Sequence, residues 1–230
     1  MATRKIFPLS ILLLVILLIV PSLIYFYVTR GHNNFIKLEI IGEPGHEIPD
    51  FTFINQDKKT ITNENLKGNI YVANFFFTSC PKICPEMIKN MAYLQQELSV
   101  YPNIRFLSHT VDPNNDTPDR FLEYIQKMKK KNIYIETTNW DFVTGDKKEL
   151  YNIANSYLTD SPGKDALEEG GFFHSQALIL IDKEGRIRSG FDKDNNPVGF
   201  YNGRNELQMK DLADDIKVLM AEYKKPVKQK

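Results

Sequence analysis

Hydrophobic and polar residues follow several periods along the chain, and the longest uninterrupted hydrophobic run lies near the N-terminus. Residues 7–28 contain no charged side chain. A helix of about 22 such residues is about 33 Å long, which matches the hydrocarbon core of a bilayer. Arg4 and Lys5 precede the run, so the positive-inside rule places the N-terminus in the cytoplasm. The pattern therefore predicts a single-pass membrane anchor over residues 1–30, with the remainder on the extracytoplasmic, or periplasmic, side.

A cleaved signal peptide is the alternative interpretation of the same run. The run is long for the hydrophobic region of a signal peptide, and neither a small-residue cleavage site nor a lipidation cysteine follows it. Both interpretations export the rest of the chain.

The exported part alternates between the periods of strands and of helices. We expect a polar tether over residues 31–44, a folded domain over residues 45–222 and a basic tail over residues 223–230. The predicted strands are 51–55, 69–77, 104–111, 176–181 and 186–190, and the predicted helices are 85–98, 118–130, 146–157 and 205–220. This order predicts an α/β fold with a central mixed sheet flanked by helices.

Composition argues against two classes of protein, nucleic-acid-binding proteins and disulfide-stapled secreted modules. The chain has 29 basic and 29 acidic side chains, which gives a formal net charge of zero. That balance argues against nucleic-acid binding, which needs a basic surface. Only two cysteines occur, whereas a disulfide-stapled secreted module carries more.

Cys80 and Cys84 are the candidate functional centre. They lie in the turn between the buried strand 69–77 and the helix 85–98, which is the thioredoxin-like placement of a dithiol. A helix N-terminus favours the thiolate, and thiolates bind soft metals or attack disulfides. Two cysteines cannot complete a structural zinc site or an iron–sulfur cluster, while two thiolates and one imidazole suit copper.

Three other interpretations compete with a copper site. A purely structural disulfide would close a short loop and contribute roughly 2 kcal/mol at best. A thiol–disulfide oxidoreductase needs only the two cysteines, although such enzymes usually have two residues between them and this chain has three. A peroxidase would need a peroxide pocket, which no motif indicates.

Four histidines are candidates for a third ligand. His32 lies in the expected tether and His46 lies at the edge of the domain. His109 ends a predicted strand, and His174 lies in a glycine-rich loop before another strand. Chemistry alone leaves the choice between His109 and His174 open.

Several separated segments resemble the Sco/SenC family of membrane-anchored copper proteins. Residues 75–87 resemble its Cys-Pro-x-x-Cys-Pro copper motif, and residues 111–118 resemble its Val-Asp-Pro-x-x-Asp-Thr-Pro segment. Residues 140–145 resemble its Trp-x-Phe-x-Thr-Gly segment, and residues 173–175 resemble the loop that carries its ligand histidine. The ordered set extends over about residues 45–222 and is far more specific than two cysteines alone.

The resemblance implies a thioredoxin-like fold and copper bound by Cys80, Cys84 and His174, with His109 a nearby strand residue. It implies delivery of copper to the dinuclear copper site of a respiratory cytochrome c oxidase, or reduction of that site's thiols. The expected partners are the oxidase copper-site subunit, a copper donor protein, a thiol reductant and the membrane.

Acidic residues lie in and near these motifs. Asp112 and Asp116 are expected to cap the loop and the following helix rather than to bind metal. The segment 163–171 contains Asp165, Glu168 and Glu169, which are expected to be solvated, although one carboxylate could reach Cu(II).

Overall fold

A computed structural model describes residues 9–29, 37–157 and 176–224, and within the first helix it describes the side chains of residues 13–25. The strands are β1 (Glu39–Ile41), β2 (Thr52–Asn55), β3 (Thr60–Thr62), β4 (Ile70–Phe76), β5 (Ile104–Thr110), β6 (Trp140–Thr144), β7 (Ala177–Ile181), β8 (Ile187–Ser189) and β9 (Tyr201–Asn202). The helices are α1 (Leu9–Thr29), α2 (Asn63–Leu66), α3 (Ile83–Glu97), α4 (Pro118–Lys130), α5 (Lys147–Ser156) and α6 (Glu206–Lys224).

The described strands form one mixed sheet with the order β1-β8-β7-β4-β5-β6-β2-β3, and β9 pairs with β7. Strands β4, β5 and β6 are parallel, while the remaining neighbours are antiparallel. The predicted α/β fold with a central mixed sheet flanked by helices is confirmed.

Strand β4 is the centre of the molecule. All seven of its residues are buried, because it is paired on both sides and covered on both faces. Its nearly continuous apolar sequence is the pattern expected of such a strand. The prediction of a buried strand at 69–77 is therefore confirmed to within one residue at each end.

Local capping contributes to the starts of two of the described helices. Helix α4 has the predicted bounds, and the hydroxyl of its N-cap Thr117 accepts a hydrogen bond from the Arg120 backbone N–H. Asp146 caps α5 by accepting from two backbone N–H groups of the first turn. Helix α3 begins at Ile83, two residues before the predicted start, and so includes Cys84.

Strands β2 and β8 fall inside the predicted strands 51–55 and 186–190, whereas β1, β3, β6 and β9 were not predicted. Strand β1 lies inside the segment 31–44 that was expected to be a tether, and it pairs with β8. The adjacent Leu38 is 2% exposed, so the folded unit begins earlier than residue 45. A three-residue strand has too little sequence to show a period, and its existence depends on the partner strand.

Helix α1 occupies most of residues 1–30, in which a membrane anchor was expected, and residues 1–8 and 30 lie outside the described residues. In the described part of the chain, no helix combines the length and the apolarity that a membrane crossing requires.

Three chain segments meet at one edge of the sheet, which we call the dithiol edge. The parallel strands β4 and β5 both end there, at Phe76 and Thr110. Strand β7 starts there, because the antiparallel ladder pairs Leu178 with Asn74 near the end of β4. The carboxyl ends of neighbouring parallel strands are where α/β proteins place their functional sites.

Candidate functional site

Cys80 and Cys84 lie between β4 and α3 at the dithiol edge. Both are free thiols and both are buried, with exposed fractions of 6% and 3%. The Cys80 backbone N–H donates to the Phe77 carbonyl at 3.2 Å, which tightens the loop. The Cys84 backbone N–H donates to Cys80 Sγ at 3.3 Å. The sulfur of Cys80 thus accepts one of the backbone N–H groups that a helix start leaves without an intrahelical partner.

The two sulfurs differ in protonation. The hydrogen bond from the Cys84 thiol, together with the backbone N–H groups of Lys82, Ile83 and Cys84, lowers the pKa of Cys80 to about 5 against the opposing effect of burial. The hydrogen bond to Cys80 and burial raise the pKa of Cys84 well above its usual value. At neutral pH the site therefore holds one thiolate and one thiol. This agrees with the thiolate predicted at a helix N-terminus.

Asp116 fixes the loop that leads to Cys80. Its carboxylate accepts hydrogen bonds from the Thr78 backbone N–H at 3.1 Å, from the Thr78 hydroxyl, and from the Thr110 hydroxyl at 2.6 Å. The residue is fully buried, and burial raises the pKa of its carboxyl group. The sequence suggested that Asp116 caps the following helix, but the structure gives that role to Thr117. Asp116 instead ties together the ends of β4 and β5.

Asp112 has the local role that was expected. Its carboxylate accepts from the Asn115 side-chain amide, and its carbonyl accepts from the Asn115 and Asp116 backbone N–H groups. These contacts hold the turn between β5 and α4.

Tyr124 is a residue near the site that the sequence did not single out. It is 4% exposed, and its ring lies 5.8 Å from the ring of Phe76, the last residue of β4. Burial raises the pKa of its hydroxyl, and charge on Cys84, Cys80 and Asp116 raises it further. In sequence Tyr124 is one of several apolar positions on an amphipathic helix, so nothing distinguished it from a core residue.

The histidines are separated in the structure. His46 Nε2 lies 2.7 Å from the Ser156 carbonyl oxygen, away from the dithiol edge. His109 is fully buried among four aromatic rings, where burial lowers its pKa to about 3. Neither ring nitrogen of His109 has a hydrogen-bond partner among the described residues. His32, His174 and the acidic segment 163–171 lie outside the described residues.

The structure therefore brings together the two predicted sulfur ligands and does not describe the third ligand. Within the ranges 9–29, 37–157 and 176–224, no group of three or more His, Cys, Asp or Glu side chains could hold a metal ion. His174 precedes the first residue of β7 by three positions, and β7 begins at the dithiol edge.

A family model described as SCO1/SenC matches residues 41–203. The chain belongs to the SCO1/SenC family. Among its relatives, the SCO1 protein homolog of Bacillus subtilis is 31% identical over 178 residues, which cover 75% of this chain and 82% of the relative. A putative copper-binding protein of Stutzerimonas stutzeri is 26% identical over 144 residues, which cover 61% of this chain and 67% of the relative.

A solved SCO1/SenC structure agrees with the fold described above. BsSco is a member of the Sco family of cytochrome c oxidase assembly proteins in which a disulfide switch has been identified. It is 30% identical and superimposes with a TM-score of 0.61, covering 80% of this chain and 99% of BsSco. The resemblance inferred from separated motifs is thereby confirmed.

Proposed function

We propose that this SCO1/SenC protein binds copper through Cys80, Cys84 and His174 and delivers it to the dinuclear copper site of a respiratory cytochrome c oxidase. The observation that carries this proposal is the buried, disulfide-free cysteine pair with a thiolate at Cys80. Copper is the cargo of the reaction rather than a resident cofactor.

The chemistry of the sulfur pair fits copper. Thiolates select soft ions such as Cu(I), which accept two or three ligands, whereas structural zinc needs four. The start of β7 at the dithiol edge supports His174 as the third ligand, because the residue lies three positions before that strand. Two relatives point the same way, since one is a putative copper-binding protein and the other belongs to a family of oxidase assembly proteins.

Copper analysis of single variants tests the ligand set. We expect the wild-type domain to bind about one copper per chain, and Cys80→Ser and His174→Ala to lower copper affinity by at least about tenfold. His46→Ala is the matched control, because His46 contacts Ser156 instead. Unchanged copper binding in His174→Ala would remove His174 from the ligand set.

Delivery is tested separately. The copper-loaded domain is mixed with the metal-free copper-site domain of an oxidase, and transfer is followed by the absorption of the dinuclear site. We expect transfer from the wild-type protein, in preference to free copper, when a competing chelator is present. No transfer under any redox condition would contradict delivery while leaving copper binding intact.

Thiol–disulfide exchange is the second candidate function, and the low pKa of Cys80 favours it. The Cys80 thiolate would attack a partner disulfide and release one partner thiolate. Cys84, after losing its proton, would then attack the mixed disulfide, release the second partner thiolate and leave a Cys80–Cys84 disulfide. The partner gains two electrons, and a thiol reductant must return two electrons to this protein.

Copper binding requires His174, whereas thiol–disulfide exchange does not. We expect His174→Ala to keep thiol exchange with an oxidised copper-site peptide while losing copper affinity, whereas Cys84→Ser should lose both. Absence of exchange by the reduced wild-type protein would exclude the reductase role.

The sequence and the structure also support limits for an N-terminal anchor and for the folded unit. The described side chains of α1, residues 13–25, are uncharged and exposed, and two basic residues precede the helix. We propose that residues 1–30 anchor the protein, that residues 31–36 connect the anchor to the folded unit, that the folded unit ends near residue 222 and that residues 223–230 form a basic tail. Alkaline extraction of membranes should leave the full chain in the pellet, and release into the soluble fraction would contradict the anchor.

A further inference from the structure

Gly203 and Arg204 lie between β9 and α6 and contact both α3 and the start of β7, and we call these two residues the bracket. Gly203 is buried, and its backbone N–H donates to the carbonyl of Gln176, the residue before β7, at 2.8 Å. The carbonyl of Gly203 accepts from the side-chain amide of Asn90 in α3, also at 2.8 Å. Two short hydrogen bonds through one residue therefore join α3 to the start of β7.

Close packing explains why a glycine occupies position 203. A Cβ atom built there would lie 2.7 Å from Met87 Cγ and 3.2 Å from two side-chain carbons of Leu178. Both neighbours are fully buried. Met87 follows Cys84 by three positions in α3, so the two side chains share one face of that helix. The backbone of Gly203 is therefore packed directly between the helix that contains Cys84 and strand β7.

Arg204 adds an ion pair between the bracket and the first turn of α3. Its Nε donates to Glu86 Oε2 at 2.5 Å, and the two side chains are 39% and 46% exposed. A pair this exposed contributes little to stability. It nevertheless places a further contact of the bracket only two positions after Cys84.

The bracket holds Gln176, which follows His174 by two positions. Two residues of chain extend at most about 7 Å, so whatever fixes Gln176 also limits the distance between His174 and α3. We propose that Asn90 and Gly203 are positioning residues for the third copper ligand, His174. A ligand that is held near its site before binding loses less conformational freedom on binding, which raises affinity. This inference rests on the proposed function, because it requires His174 and both cysteines to bind copper.

The test begins with Asn90→Ala, which removes one of the two hydrogen bonds of the bracket and leaves all three proposed ligands in place. Cu(I) affinity is measured in competition with a Cu(I) chelator, bathocuproine disulfonate. Loss of a single hydrogen bond changes an equilibrium constant by about twofold to tenfold, so we expect Cu(I) affinity to fall by about that factor. Unchanged Cu(I) affinity in Asn90→Ala would overturn the inference.

A double-mutant cycle shows whether this loss depends on His174. The His174→Ala background has no third ligand to position, so Asn90→Ala should cause no further loss of Cu(I) affinity there. An equal loss in both backgrounds would show that Asn90 acts on the cysteines or on the whole fold, which would contradict the inference.

Two measurements on the metal-free protein distinguish positioning from damage to the dithiol. We expect the Gly203 amide hydrogen to exchange with solvent faster in Asn90→Ala than in the wild type, because the bracket opens more often. We also expect the rate of iodoacetamide labelling of Cys80 at pH 7 to stay the same. An unchanged exchange rate at Gly203, or an altered labelling rate at Cys80, would count against the inference.

Gly203→Ala is a second and more severe variant, because the added Cβ must displace Met87 or Leu178. We expect it to lower Cu(I) affinity more than Asn90→Ala does, and again only when His174 is present. A loss smaller than that of Asn90→Ala would contradict close packing at Gly203 as part of the positioning.

Asn139→Ala and Gly145→Ala are the matched controls. The Asn139 side-chain amide also donates to a backbone carbonyl, that of Ile104 at 3.1 Å, and a Cβ at Gly145 would lie 2.6 Å from a ring carbon of Phe53. We expect both controls to lose stability and to keep their Cu(I) affinity, and a loss of affinity equal to that of the bracket variants would contradict the inference. Failure of the wild-type protein to bind Cu(I) would instead refute the proposed function, so the two failures are distinguishable.

Discussion

At the scale of single residues, the two cysteines differ in their protonation state. Both residues are buried, and Cys80 is a thiolate at neutral pH whereas Cys84 is protonated. Under the proposed function, the first bond to an incoming metal ion or disulfide would form at Cys80, and Cys84 would complete the reaction after losing its proton.

The pH dependence of Cys80 is the first prediction. Alkylation of the reduced protein at Cys80 should follow an ionisation near pH 5, because the Cys84 thiol and helix N–H groups lower that pKa. Cys84→Ala removes the largest of these contributions, so its midpoint should move towards the usual cysteine value. The measurement is the rate of iodoacetamide labelling between pH 4 and pH 9, with labelled cysteines identified by mass spectrometry.

The same pKa predicts how folding stability changes with pH. Between about pH 5 and the usual cysteine pKa, the unfolded state binds a proton at Cys80 that the folded state does not, so stability rises with pH across this range. The contribution is lost as the pH falls through about 5. A wild-type protein that showed no such rise relative to Cys80→Ala would contradict this assignment.

His109 gives the second prediction. Here too folding stability should rise with pH, but the cause is burial of a neutral imidazole. Burial among aromatic rings lowers its pKa to about 3, whereas an unfolded histidine titrates near 6.5. Between these values only the unfolded state is protonated, so the wild type loses stability as the pH falls below about 6.5.

The variant His109→Phe should lack this loss. The stability difference between His109→Phe and wild type, measured by urea unfolding, should favour the variant increasingly from pH 7 to pH 5. His46→Ala is the control, because His46 is only partly buried and contacts a backbone carbonyl. Parallel pH profiles of His109→Phe and wild type would contradict the prediction.

Residue-scale features were predictable from sequence where they depend on near neighbours. The thiolate at Cys80 follows from a cysteine beside a helix N-terminus, and Thr117 and Asp146 follow from capping preferences. The lack of a hydrogen-bond partner for the Tyr124 hydroxyl among the described residues and the aromatic surroundings of His109 could not be predicted, because each depends on several elements that are distant in sequence.

At the scale of elements, the dithiol edge depends on the connection between β4 and β5. Asp116 lies before α4 and accepts hydrogen bonds from both strand ends. The loop that carries Cys80 is thereby fixed to the parallel pair rather than only to its own strand and helix.

The third prediction concerns this connection. Asp116→Ala leaves the Thr78 N–H and two buried hydroxyls without their acceptor, so it should lower the free energy of unfolding by at least about 2 kcal/mol. Asp119→Ala, in the first turn of α4, is the control. Its exposed pair with Lys58 should contribute less than about 1 kcal/mol. Equal losses in urea unfolding of the two variants would show that Asp116 has no special role.

Most long elements were predictable, and of the short strands only β2 and β8 were predicted, inside 51–55 and 186–190. Strands β4, β5 and β7 and helices α3 to α6 have hydrophobic patterns long enough to show a period. Strands β1, β3 and β9 have two or three residues each, and pairing with other strands determines them. Strand β6 was present in the motif at 140–145 but was not assigned as a strand.

At the scale of the whole molecule, a buried ion-pair network joins the start of the folded unit to its end. Arg188 in β8 is 2% exposed and binds Asp182 at 3.1 Å and Glu222 of α6 at 2.7 Å. It also donates to the Leu38 carbonyl, while the Leu38 N–H donates to Glu222. Residues 37–41 are therefore part of the domain.

The fourth prediction is a pair of truncations. A chain that begins at residue 37 should fold with nearly the stability of the intact domain. A chain that begins at residue 45 loses β1, the buried Leu38 and two partners of the Arg188 network, and should be less stable by about 2–5 kcal/mol. Guanidinium unfolding of both chains measures the difference. Equal midpoints would restore residue 45 as the start of the folded unit.

The strand order could not be predicted from this sequence alone. The pattern of elements gave a mixed sheet, but pairing partners are set by contacts over long separations. The family resemblance gave the fold class without the placement of β1 and β2 at opposite sides of the sheet.

That placement has a consequence for how the chain folds. Strand β1 pairs with β8, and β2 pairs with β6. The partners of both early strands are synthesised about 90 to 150 residues later in the chain. Contacts of such long sequence separation slow folding. We therefore expect the first part of the domain to leave the ribosome to be among the last to be completed, because β2 pairs with β6 and β1 pairs with β8.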